Sequence, residues 1–114
     1  MAEPTPEPTK SVAQATTLVI ADKNPVVRAG LRDFIARALA SLGLPAADAA
    51  DCARLMVESD LAGFHTHGIF RLAQYVKRIR AGGINVTPNI TTVTEAPATA
   101  VVDGDNAMGH LVVQ

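Results

Sequence analysis

His67 and Arg71, in the run Phe64-His65-Thr66-His67-Gly68-Ile69-Phe70-Arg71, are the residues of this chain best suited to chemistry. An imidazole exchanges a proton near neutral pH. A guanidinium offers a planar fork that pairs both oxygens of a carboxylate. If a helix opens at Gly68, about 100° per residue sets the two side chains roughly 40° apart around its axis, one turn above the other. The positive end of such a helix favours an anion and opposes protonation of the histidine, whereas a carboxylate held by Arg71 restores it. That balance suits proton exchange on a small oxo or hydroxy acid, and Gly68 leaves room for close approach. The same residues admit a plainer alternative, in which His67 caps a helix, Arg71 is solvated, and the chain is a non-catalytic helical interaction module.

His65 and His67 also form an H-x-H pair, with Asp60 and His110 as the only candidates for further ligands. No C-x-x-C or H-E-x-x-H accompanies them, so no metal site is expected. Asp60 reads as a cap or loop-organising acid, and Tyr75 as a packing residue. Cys52 lies within an apolar helical pattern and reads as a small buried hydrophobe. Gly104 and Gly109 lack the strand–glycine-rich turn–helix context of a dinucleotide fingerprint.

Three helices must position the pair. Leu31, Phe34, Ile35, Ala38, Leu39 and Leu42 recur at helical spacing. Gly43 then supplies a C-cap, and Pro45 suits the first turn of the next helix. That second helix should run from Ala46 to Leu61, burying Ala49, Ala53, Met56 and Val57, with Gly63 ending it. The third should open near Gly68 and run to Arg80, with Ile69, Leu72, Val76 and Ile79 inward and Gly82-Gly83 as its stop. Beyond Pro88, Ile90–Thr94 and Ala98–Val102 are rich in β-branched residues and flank a turn at Glu95-Ala96-Pro97, which predicts a β-hairpin. Asp103-Gly104-Asp105-Asn106 is a second turn. The apolar end, Leu111-Val112-Val113-Gln114, reads as an element cut in mid-course.

Residues 1–16 alternate Pro with Glu and Thr and read as a disordered tail. Residues 17–30 form a separate, unassigned segment. Within it Leu18-Val19-Ile20-Ala21 suggests a brief strand, and the stretch to Leu31 looks like the opening of a response-regulator receiver domain. There Lys23 replaces one of the expected acids, and no phosphoacceptor strand follows.

The chain's 114 residues suffice for one small domain, and the 48% of hydrophobic residues can build a core, though with no Trp it must be aliphatic. A net charge of −1 gives no footprint for nucleic acid or a membrane surface. No apolar run approaches the ~20 residues of a membrane span. A single cysteine permits no internal disulfide. These features, with no secretory signal at the Pro- and Glu-rich start, predict a cytoplasmic protein.

From about Leu31 onward the chain resembles the malate/L-lactate dehydrogenase family that is distinct from the Rossmann-type lactate and malate dehydrogenases. Its members include ureidoglycolate, sulfolactate and diketogulonate oxidoreductases. The resemblance rests on ordered pieces: Ala38-Leu39-Ala40-Ser41-Leu42-Gly43-Leu44-Pro45, Glu58-Ser59-Asp60-Leu61-Ala62-Gly63, and Thr66-His67-Gly68 with Arg71. Tyr75-Val76, Arg80-Ala81-Gly82-Gly83-Ile84-Asn85 and the stretch Ala96–Asp105 follow. It implies an α+β fold, here a three-helix N-terminal substrate-domain piece over residues 31–114 followed by a short hairpin, incomplete relative to the family fold. It also implies interconversion of a 2-oxo acid and its 2-hydroxy acid with NAD or NADP. His67 would be proton donor and acceptor, Arg71 would bind the substrate carboxylate, and Thr66, replacing the usual serine, would contact substrate. His110 stands where a glutamine is common. Family members continue beyond this length into a nicotinamide-binding domain and an acid expected to orient the histidine. The resemblance therefore implies a fragment, inactive alone, of an enzyme that forms a homodimer.

Overall fold

The computed structural model describes residues 24–114. The Pro- and Glu-rich tail, the brief strand at Leu18–Ala21 and the receiver-like stretch up to Lys23 lie outside the described residues.

The first helix, α1, spans Pro25–Ser41. It starts before the apolar stripe does, because Asn24 caps it: its side chain accepts the Val26 N–H at 2.8 Å, and Pro25 occupies the first turn, where its missing N–H costs nothing. Ile35 and Leu39 are fully buried, whereas Phe34, expected on the same stripe, is 60% exposed. Position 34 lies about 100° from position 35 around the axis, and α2 covers only the face centred on Ile35 and Leu39.

The helix α2 spans Ala46–Leu61, as its composition predicts. Ala49, Cys52, Ala53, Met56 and Val57 are buried against α1. Small residues at 49, 52 and 53 let the two backbones approach closely. Gly43, at φ +107°, makes the reversal between the helices with the side chain of Val86 packed over it. Cys52 is wholly buried, and its thiol pKa is pushed up to about 11, first by desolvation and then by the charges of Asp48 and Asp51.

Residues 64–80 depart from a continuous third helix. Two short 3-10 turns, His65–His67 and Ile69–Arg71, precede α3, which covers only Leu72–Arg80. Leu72 and Ile79 are buried and Ile69 and Val76 partly so, so the apolar stripe survives although the helix opens later.

The strands β1, Thr91–Ala96, and β2, Thr99–Asp103, pair antiparallel in a two-stranded sheet with a bulge between Thr92 and Thr94. The tight turn falls at Pro97-Ala98, one residue later than the sequence suggests. Every strand residue is exposed, so the hairpin contributes nothing to the core. A polar clasp closes its base. The Asp105 carboxylate accepts from Asn85 Nδ2 at 3.0 Å and Asn89 N–H at 2.8 Å, and Asn85 N–H donates to the Asn106 carbonyl at 2.9 Å. This clasp returns the chain to the helices. Met108 enters the core, and a short helix, α4, follows at Gly109–Val112. The result is the expected α+β arrangement of three helices and a hairpin, with one added helical turn. Among the described residues, no helix is long and apolar enough to cross a membrane.

Candidate active site

The site is built on Asp60. This residue ends the buried face of α2 and is only 3% exposed. A buried carboxylate must be hydrogen-bonded, and the following turn wraps around it. Oδ2 accepts the Ile69 N–H at 2.8 Å, and Oδ1 faces His65 Nδ1 at 3.4 Å. Gly68 lies against the same carboxylate, so a Cβ at position 68 would fall inside it. The loop-organising role read for Asp60 from the sequence is thus present in detail.

The same contacts explain why the turn is not a helix. Gly68 has ψ −147°, far from helical values, which turns Ile69 N–H toward Asp60. The chain breaks there into two short turns. His67 and Arg71 therefore do not share one helical face a turn apart, contrary to what their spacing suggests.

They are brought together instead by Thr66. Its Oγ1 lies 2.9 Å from Nδ1 of His67, and its carbonyl accepts Nε of Arg71 at 2.7 Å. A side chain and a main-chain group of one residue thus hold both. Arg71 Nη1 donates a short hydrogen bond to Oε1 of Gln74, leaving Nη2 without a partner among the described residues. With Nδ1 of His67 engaged, Nε2 is the ring atom available for proton exchange. His67 and Thr66 are exposed and Arg71 is half-buried. No aliphatic layer seals them.

His65 and His67 turn to different partners, Asp60 and Thr66 respectively. The described residues contain no group of three or more His, Cys, Asp or Glu able to hold a metal ion.

Sequence reasoning missed two contacts near the turn. Gln74 fixes the guanidinium from the first turn of α3, and only its three-residue distance from Arg71 could have pointed to it. His110, read only as a candidate ligand, stacks edge-on against Tyr75 with ring centroids 5.5 Å apart. Its pKa is lowered, first by burial and then by the charge of His67. Tyr75 therefore packs as predicted.

An exposed imidazole and a half-buried guanidinium are tied to one threonine just before the third helix. The chain belongs to the malate/L-lactate dehydrogenase family, whose model matches residues 26–114. It is 43% identical over 82 residues to a malate dehydrogenase of Pyrococcus horikoshii, covering 72% of this chain and 23% of that protein. It is 33% identical over 89 residues to the ureidoglycolate dehydrogenase (NAD(+)) of Escherichia coli K12, covering 78% of this chain and 26% of the relative. Among solved structures, the sulfolactate dehydrogenase of Methanocaldococcus jannaschii superposes with a TM-score of 0.70 at 41% identity, over 75% of this chain and 25% of that one. The chain thus spans about a quarter of the length of the relatives it matches.

Proposed function

We propose that this chain carries the proton-transfer and carboxylate-binding part of an oxidoreductase that interconverts a 2-oxo acid and its 2-hydroxy acid. Arg71 binds the substrate carboxylate, His67 exchanges the proton at the C2 oxygen, and Thr66 orients both and contacts substrate. The single observation that carries this reading is the double tether through Thr66, which joins an imidazole and a guanidinium across a break in the helix.

Each residue's part follows from its contacts. The Thr66 carbonyl takes Nε, so the carboxylate pairs at the Nη end of the guanidinium, with Gln74 holding the plane. The Thr66 hydroxyl holds the tilt of the His67 ring through Nδ1, which leaves Nε2 for proton exchange. In the reducing direction His67 gives its proton to the oxygen at C2; in the oxidising direction it removes one. Asp60 touches neither group. It sets the path of the turn that presents them.

A nicotinamide cofactor, NAD or NADP, would supply or accept the hydride; the name of one relative specifies NAD(+). The described residues offer no cradle for its phosphates. The sheet is an antiparallel hairpin, and a Cβ at Gly104 would meet only the Val112 side chain.

The malate, sulfolactate and ureidoglycolate named for the relatives suggest small, polar hydroxy acids as the substrate class. The test is to join this segment, in frame, to the remainder of the Pyrococcus horikoshii malate dehydrogenase. 2-Oxo-acid-dependent oxidation of NADH or NADPH is expected. A folded joint polypeptide without that activity would overturn the reading.

A further inference from the structure

Charge is segregated along the second half of the chain. No Asp or Glu lies between Asp60 and Glu95, and that stretch carries Arg71, Lys77, Arg78 and Arg80. After Arg80 there is no Lys or Arg, and the acids Glu95, Asp103 and Asp105 follow. The helix α3 is thus cationic and the hairpin stretch anionic. Arg71 is held by Thr66 and Gln74, but among the described residues Lys77, Arg78, Arg80 and Glu95 form no ion pair. The hairpin does not cover its own α3: every residue of both strands is exposed, as are Lys77 and Arg80.

Each element presents one face fit for the other. Leu72 and Ile79 mark the buried side of α3. At about 100° per residue, Ala73, Lys77 and Arg80 share one flank within roughly 60° of each other, and all three are exposed. Gln74 and Arg78 fall on the other flank, so the contact of Gln74 with Arg71 stays clear of the first. In the hairpin, Thr92 pairs with Val102 and Glu95 with Ala100. Residues opposite one another, and residues two apart along a strand, share a face. Thr92, Glu95, Ala100 and Val102 therefore form one open face of small and β-branched groups with a single acid. A two-stranded hairpin with both faces in water is marginal and calls for a partner.

We propose that this face of the hairpin docks on the Ala73, Lys77 and Arg80 flank of α3 in a second copy of the chain, reciprocally, as a two-fold dimer. Glu95 of one copy meets the Lys77 and Arg80 cations of the other, and Ala73 packs on Ala100 and Val102. A second copy is favoured over another acidic protein because the chain carries both complementary surfaces, and a two-fold axis uses both at once. Exposed ion pairs each contribute little and are screened by salt. The contact is therefore weak, and charge decides which surfaces meet more than how tightly they hold. The inference is independent of the roles given to His67 and Arg71.

Sedimentation velocity of the 114-residue chain tests it. At low ionic strength the mass should rise with concentration from monomer toward dimer. Association should weaken by about tenfold or more at about 0.5 M NaCl, where charges are strongly screened. Glu95→Lys alone, and Lys77→Glu combined with Arg80→Glu, should each be monomeric at the same concentrations, because like charges then face one another. An equal mixture of the two variants should dimerise again, since each reversed surface meets its complement in the other. That rescue also shows that both variants are folded. A chain that stays monomeric at low salt up to millimolar concentration, association that survives either reversal, or a mixture that remains monomeric overturns the inference.

Discussion

Asp60 and Gly68 interlock. The carboxylate of Asp60 occupies the space a side chain at position 68 would need, and its Oδ2 accepts the N–H of the next residue, Ile69, at 2.8 Å. This pairing converts the end of α2 and the start of α3 into one rigid turn and sets the path from His67 to Arg71.

Gly68→Ala is therefore expected to destabilise the fold by about 2–4 kcal/mol, because the methyl must displace a buried, hydrogen-bonded carboxylate. Urea denaturation measures it. The same substitution in an Asp60→Ala background should cost far less, since the obstacle is gone, giving a strongly non-additive cycle. Additive effects would show that the two residues are independent.

Thr66→Ser keeps the hydroxyl that meets His67 Nδ1, and Thr66→Val removes it. The valine variant is expected to shift the His67 Nδ1 resonance and alter its tautomer balance, with a stability change of about 1 kcal/mol or less at this exposed position. The serine variant should match the wild type. Identical His67 spectra in all three would mean that the hydroxyl does not hold the ring.

Burial and the nearby His67 charge hold the pKa of His110 below its ordinary value of 6.5. The unfolded chain binds that proton more readily than the folded one between the two midpoints. Stability therefore rises with pH in that window and is lost as pH falls below about 6.5. Thermal melts from neutral to mildly acidic pH should show this loss, and His110→Gln should diminish it. An unchanged slope in the variant would assign the acid sensitivity elsewhere.

Cys52, fully buried with its thiol pKa raised to about 11, should resist alkylation by iodoacetamide at about pH 8 until the chain is unfolded in urea. Rapid labelling of the folded chain would contradict the packing of α1 on α2.

Much of this was legible in the sequence, for identifiable reasons. The bounds of α2 followed from Pro45, Gly63 and the small apolar residues between them. The hairpin followed from β-branched runs either side of Pro97. The path through Gly68 was not legible, because it depends on a carboxylate eight residues earlier that periodicity does not register. A helical count from Gly68 accordingly paired His67 with Arg71 for the wrong geometric reason, since Thr66 and not a shared helical face joins them. Phe34 misled because spacing alone does not say how wide a face the partner helix covers. The contact of His110 with Tyr75 is a tertiary fact, visible only once the hairpin clasp returns the chain to the helices.

The central claim is that His67 and Arg71 act on one acid in different capacities, and steady-state kinetics of the joined polypeptide tests it most directly. His67→Asn should lower kcat by about 10²–10⁴-fold with little change in KM. Arg71→Lys, which keeps the charge but loses the planar fork, should raise KM for the 2-oxo acid by about tenfold or more. Wild-type values of both constants in both variants would contradict the account.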